Sequence, residues 1–162
     1  MRLKMIRLIL LSVMVLCSPV LKAQEQFDKS AFYASMAKDD VTKIDEQLKL
    51  VKLSSSADKT AFEGTLLMKK AALVKGASSK LKLFKEGHKK LEDAISKDNL
   101  NPEFHFLRLM IQEHAPGFLG YKNDLQKDSD LIKKSFGDLP EVVKHAISDY
   151  SKKSKILDPS DF

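Results

Sequence analysis

Between residues 24 and 162 the chain has 24 basic residues; 23 are lysine and one is Arg108. A guanidinium presents planar, forked donors that an ammonium cannot copy, so a lone arginine marks a position where that geometry is required. Asn101, His105 and Gln112 lie seven and three residues before it and four after it, which places all four on one helical face. Such a polar strip could hold a carboxylate, a phosphate or a peptide backbone. It could equally be fixed by an Asp or Glu from a neighbouring helix, and this structural pairing is the expectation carried forward. Tyr121 joins the candidate ligand-binding residues from the apolar loop APGFLGY, residues 115–121. Phe118, Leu119 and Tyr121 are expected to plug a gap between helices, with a lid or partner-binding loop as the functional alternative.

Other chemistries find little support. His88, His105, His114 and His145 are the only histidines, and no HExxH spacing joins any two of them. His88 and His114 fall on apolar stripes and are expected to pack between helices rather than bind metal. There is no G-x-S-x-G, no glycine-rich phosphate loop, and the acidic run 124–130 lacks the spacing and glycine of a calcium loop. Glu92 and Asp93 are sequence neighbours and read as a solvated helix edge. No catalytic residue, cofactor or metal is assigned.

Those side chains must be positioned by helices. Apolar residues recur at steps of three and four, and no segment alternates as a strand would. A first helix is expected over 29–37 with Phe32 and Met36 on one face. A second follows Asp39 and Asp40, with Val41, Ile44, Leu48 and Val51 facing inward. Three serines, 54 to 56, break the chain, and Ser55 with Asp58 resembles a capping pair. A third helix spans about 57–75, and residues 76–79 end it and cap the next. The fourth has the cleanest period: Leu81, Phe84, His88, Leu91 and Ile95. Asn101 followed by Pro102 is a strong helix start, and Phe104, Leu107, Ile111 and His114 form that helix's inner stripe. Leu125, Ile132 and Phe136 mark a sixth segment. A last helix runs from Asp138 and Glu141 to about 155, with Val143, Ala146, Ile147 and Tyr150 inward. The tail over 157–162 is expected to fray. The reading is all-α: about seven helices in a single domain over 24–156, arranged as an irregular solenoid or a bundle.

The net charge of +6 invites a nucleic-acid partner, but it is unevenly placed. Residues 1–23 hold four bases and no acid, leaving 24 bases against 22 acids in the rest. No nucleic-acid partner is therefore expected. A basic start, an apolar run and a small residue at Ala23 give residues 1–23 the order of a secretory signal peptide, with Gln24 as the expected mature start. The run is too short to span a bilayer as a helix. Lipidation at Cys17, the only cysteine, is the alternative, and Leu16 before it is a poor fit to that processing. The chain is expected to be exported to the periplasm or secreted, without disulfides or a transmembrane segment after cleavage. Within the rest, residues 59–97 carry ten Lys against four acids, a patch suited to an acidic partner.

Gly87, Leu91, Ala94 and Asn99 match the small, large apolar, small and breaker offsets of the second helix of a tetratricopeptide repeat. Gly64 and Leu67 resemble the small and apolar positions of its first helix. The spacing of 23 residues between Gly64 and Gly87 is about twice the family's, so the resemblance is to a degenerate repeat. It implies helices approaching closely at their small residues. The chain, especially NPEFHFLRLMIQEHAPGFLGY, is also similar to uncharacterised exported helical proteins of Bacteroidota-type bacteria. The functional expectation is a non-catalytic interaction or scaffolding protein of the bacterial envelope, partnered by another envelope protein. The alternative is a protein, or an enzyme, that binds a small anionic ligand or peptide through the strip around Arg108.

Overall fold

The computed structural model describes residues 27–162; the leader, Cys17 and the expected cleavage site lie outside them. Two short helices begin where an aspartate satisfies amide groups that a helix start leaves bare. Asp28 accepts from the Ser30 and Ala31 amides and opens α1, Lys29–Met36. Asp40 accepts from Thr42 and Lys43 and opens α2, Val41–Leu53. The serine break then works differently from the expected Ser55–Asp58 pairing. Ser54 and Ser56 hydroxyls accept from the Ser56 and Asp58 amides, and Asp58 makes no capping bond before α3, Lys59–Leu73. Consecutive side-chain turns hold this linker, so no capping box is needed.

Gly76 joins α3 to α4, Ala77–Lys97, at φ +87°, a conformation that favours glycine. Ser78 and Ser79 lie inside α4 and do not cap it. The two helices form an antiparallel hairpin that closes on glycine against glycine. A Cβ on Gly64 would lie 2.6 Å from the Gly87 carbonyl oxygen, and one on Gly87 would lie 2.5 Å from the Gly64 oxygen. The backbones touch where a side chain would hold them apart. Helix α3 also packs against α2, so it lies between α2 and α4.

Asn101 caps α5, Pro102–His114, accepting from Glu103 and Phe104 with proline in the first turn. Helix α6, Leu125–Ser135, and α7, Glu141–Ser151, complete seven α-helices, and no strand occurs among the described residues. Every residue of α5 from Glu103 to Gln112 is buried. Tyr33 of α1, Phe62 and Leu66 of α3, Leu91 of α4, Ile132 of α6 and Val143 and Ile147 of α7 share its core. From Glu103 to Gln112 the central helix therefore has no solvated face, so its polar residues there can find partners only inside the protein.

His114 and the C-terminal tail differ from expectation. His114 ends the inner stripe in sequence but is exposed, with its Nε2 3.3 Å from the Tyr150 hydroxyl. The tail does not fray. Glu113 accepts from the Tyr150 and Ser154 hydroxyls and the Lys155 amide, while Ser154 turns the chain by accepting from Ile156 and Leu157. Leu157 is thereby sunk into the core, Lys133 pairs with Asp161 at 2.7 Å, and Phe162 packs on Phe136. The polar residues from 151 onward gave no periodicity to read, but they fasten the end to α5 and α6.

Candidate functional site

The strip on α5 meets the seam between α4 and α6. Arg108 donates through Nε to Asp128 Oδ2 at 2.8 Å and through Nη2 to Oδ1 at 2.6 Å, a two-pronged grip on a carboxylate with no exposed surface. Its Nη1 donates to Glu92 Oε2 at 2.9 Å and lies 3.7 Å from Asp124. One guanidinium thus joins α5 to α4 and α6, and all three of its nitrogens are engaged. Lysine could not do this from one position.

His105 supports the same carboxylate. Its Nδ1 lies 2.6 Å from Asp128 Oδ1 and its Nε2 3.1 Å from the Asn99 carbonyl. Burial pushes the Asp128 carboxyl up, but hydrogen bonds from Arg108 and His105 outweigh it and hold the group below its ordinary value of 3.8. A carboxyl depressed in the folded state contributes stability above its unfolded pKa and loses it as pH falls through the folded one. Denaturant titrations from about pH 5 to pH 2 should therefore show stability falling, with a shallower fall in Asp128→Asn. Parallel slopes for the two proteins would remove Asp128 from the acid response.

The other candidates separate. Asn101 is spent on capping and on a bond to Asp98, so it does not join Arg108. Tyr121 is buried and donates to Glu92 Oε1 at 2.7 Å; burial and Glu92 together raise its pKa. Its ring lies edge-on to His88 at 4.6 Å and to Phe84 at 5.6 Å. Gly120, at φ +63°, turns the chain to place it there. Phe118, by contrast, is 87% exposed and plugs nothing. Gln112 is fully buried, and neither its Nε2 nor its Oε1 has a hydrogen-bond partner within the protein. Beside it opens a cleft of about 350 Å³ lined by His88, Glu92, Gln112, Gly120, Tyr121, Asn123 and Asp124.

Two members of this site escaped the sequence. Glu92 is half-buried and bonded to both Arg108 and Tyr121, so it is no solvated edge. Asp128 sat in an acidic run, yet it faces inward one turn before Ile132, the spacing that would have revealed it. No group of three or more His, Cys, Asp or Glu among the described residues is placed to hold a metal ion.

A second concavity lies over α3. Asp45, Leu48, Lys49 and Lys52 of α2 face Lys82, Leu83 and Glu86 of α4 across a groove of about 600 Å³, with Ser79 also at its α4 edge. Leu67 and Lys70 of α3 lie between them, and Leu48 and Leu67 are more than nine-tenths buried. Lys70 pairs with Asp45 at 2.5 Å and Lys52 approaches Glu63 at 3.8 Å. Lys49 and Lys82 have no ion pair among the described residues.

Comparisons with protein-family models, with curated proteins and with solved structures find no match to this chain. No helix of the described residues is long and apolar enough to cross a membrane.

Proposed function

We propose that this is an exported, non-catalytic interaction module of the bacterial cell envelope, and that the groove over α3 takes an acidic, leucine-anchored segment of another envelope protein. The groove carries the reading: Leu48, Leu67 and Leu83 are among its lining residues, and lysines without an ion pair among the described residues stand on its α2 and α4 sides. Apolar anchors seat a segment and charged rims select its sign. Residues 59–97, which supply α3 and α4, hold the basic excess of residues 24–162, ten Lys against four acids. The leader at residues 1–23 supports export to the periplasm or the exterior. The glycine-on-glycine hairpin beneath the groove supports kinship with tetratricopeptide-like helix pairs, which use such packing in binding modules.

The alternative, an anionic ligand on the Arg108 strip, is weakened by the geometry. Arg108 is fully engaged with the protein's own carboxylates, and the cleft beside it is rimmed by Glu92 and Asp124. An incoming anion would meet like charge.

The test is fluorescence anisotropy with a labelled 14-residue peptide bearing leucine every three or four positions and glutamate between. A counterpart with lysine replacing glutamate is the control. The acidic peptide should bind, weaken as salt rises, and lose about tenfold in affinity when Lys49→Glu and Lys82→Glu are combined, at roughly 0.5–1 kcal/mol per rim charge. Equal binding of both peptides, or indifference to the lysine reversals, would overturn the proposal.

A further inference from the structure

The cleft beside Gln112 has a different character from the groove. Gln112 is fully enclosed, yet its amide offers two donors and an acceptor that nothing in the protein takes up. Burying such a group unpaired costs stability, and an apolar residue of the same shape would avoid that cost. Gln112 is among the residues that line the cleft, so its unpaired amide lies close beneath the cleft wall.

The charge around the cleft gives the sign of that molecule. Three carboxylates, from Glu92, Asp124 and Asp128, surround the single guanidinium of Arg108. Asp128 is consumed behind the wall by Arg108 and His105. Glu92 gives one oxygen to Arg108 and the other to Tyr121. Asp124 has no such partner. Its carboxylate makes no hydrogen bond among the described residues, does not cap α6, and has its one ion pair there with Arg108 at 3.7 Å. It lines the cleft with its side chain 38% exposed. A carboxylate held only by a long ion pair and an amide without a partner therefore line one small cleft.

We propose that this cleft binds a primary ammonium group attached to a hydrogen-bonding neighbour, as in an α-amino amide or a peptide N-terminus, with Asp124 receiving the ammonium and Gln112 pairing with the adjoining amide. The volume suits a ligand of a few heavy atoms rather than a folded partner. Both ligand sources share this chemistry, and the size of the ligand separates them. Glu92 and Tyr121 shape the wall through bonds they already make, and Arg108 is left to its structural role.

The experiment is an NMR titration of the ¹⁵N-labelled protein, following the Gln112 side-chain amide and the 120–124 backbone. Three probes of similar size are compared: glycinamide, its neutral analogue propionamide, and n-propylammonium. Glycinamide should shift these resonances with saturation in the millimolar range, about tenfold tighter than n-propylammonium, and propionamide should leave them unmoved. Asp124→Asn should weaken glycinamide about tenfold. Gln112→Met, which keeps the shape and removes the unpaired amide, should stay folded and bind glycinamide no better than n-propylammonium. Gly-Ala-Ala amide binding as tightly as glycinamide would assign the site to peptide N-termini, and its exclusion would assign it to free small amines. Equal binding of propionamide and glycinamide would overturn the proposal, as would an absence of shifts in the folded protein or a Gln112→Met variant with unchanged glycinamide affinity.

Discussion

Arg108→Ala is expected to cost about 3–5 kcal/mol, because it removes one partner of a buried ion pair and strands the other. The stranded group is Asp128, which has no exposed surface and would keep only His105. Glu92 suffers less, since it is half-buried and retains Tyr121. The loss corresponds to roughly 10–15 °C in Tm for a domain of this size. Arg108→Lys should recover only part of it. One ammonium could reach Asp128 or Glu92, but it cannot grip both oxygens of one carboxylate while bridging to another helix. A folded Arg108→Ala protein with an unchanged Tm would contradict the structural role of this arginine.

The second large effect is expected at the glycine contact. In Gly87→Ala the new methyl would sit 2.5 Å from the Gly64 carbonyl oxygen and 2.8 Å from Met68 Cγ. The methionine can swing away, but the carbonyl belongs to the helix backbone. Helices α3 and α4 must separate, at about 1–3 kcal/mol for overpacking, offset by about 1 kcal/mol from alanine's better helix propensity. Gly87→Val enlarges the clash and forfeits most of that offset, so it should be the most destabilising change in the hairpin. Gly137→Ala is the control, with nothing within 4 Å of the added carbon, and should be close to neutral. Chemical denaturation of the three variants would order them Val, Ala, control. A neutral Gly87→Val would show that the helices are not in backbone contact.

The helices were legible because their signals are local. Asp40 before Val41 and Asn101 before Pro102 name helix starts within a few residues, and the 81–95 period locates a buried stripe. The first two residues of that stripe misled, for Leu81 is 44% exposed and Phe84 only half-buried, while Ile95 at its far end is buried. A helix that protrudes past its neighbours keeps its period after the core has ended. The site was legible only along α5. Spacing of three and four put His105, Arg108 and Gln112 on one face, but nothing in their spacing distinguished a solvated strip from a buried one. That required knowing that α5 is surrounded by other helices. The partners Glu92 and Asp128 lie 16 and 20 residues from Arg108 and come from separate helices. Such pairings are made by tertiary packing, which the periodicity of one helix does not encode. Asn101 was assigned to the strip by the same spacing, yet its position at the helix start determined its role instead.

The guanidinium cluster fastens α4, α5 and α6, and the groove proposed to take a partner runs across α2, α3 and α4. Chemical-shift mapping of the ¹⁵N-labelled protein with the acidic leucine-bearing peptide tests that division directly. Amides of Leu48, Lys49, Lys52, Lys82, Leu83 and Glu86 should move together and saturate, while those of Arg108 and Asp128 stay still. Saturating shifts centred on Arg108, Glu92 and Asp124, with the groove unmoved, would contradict it.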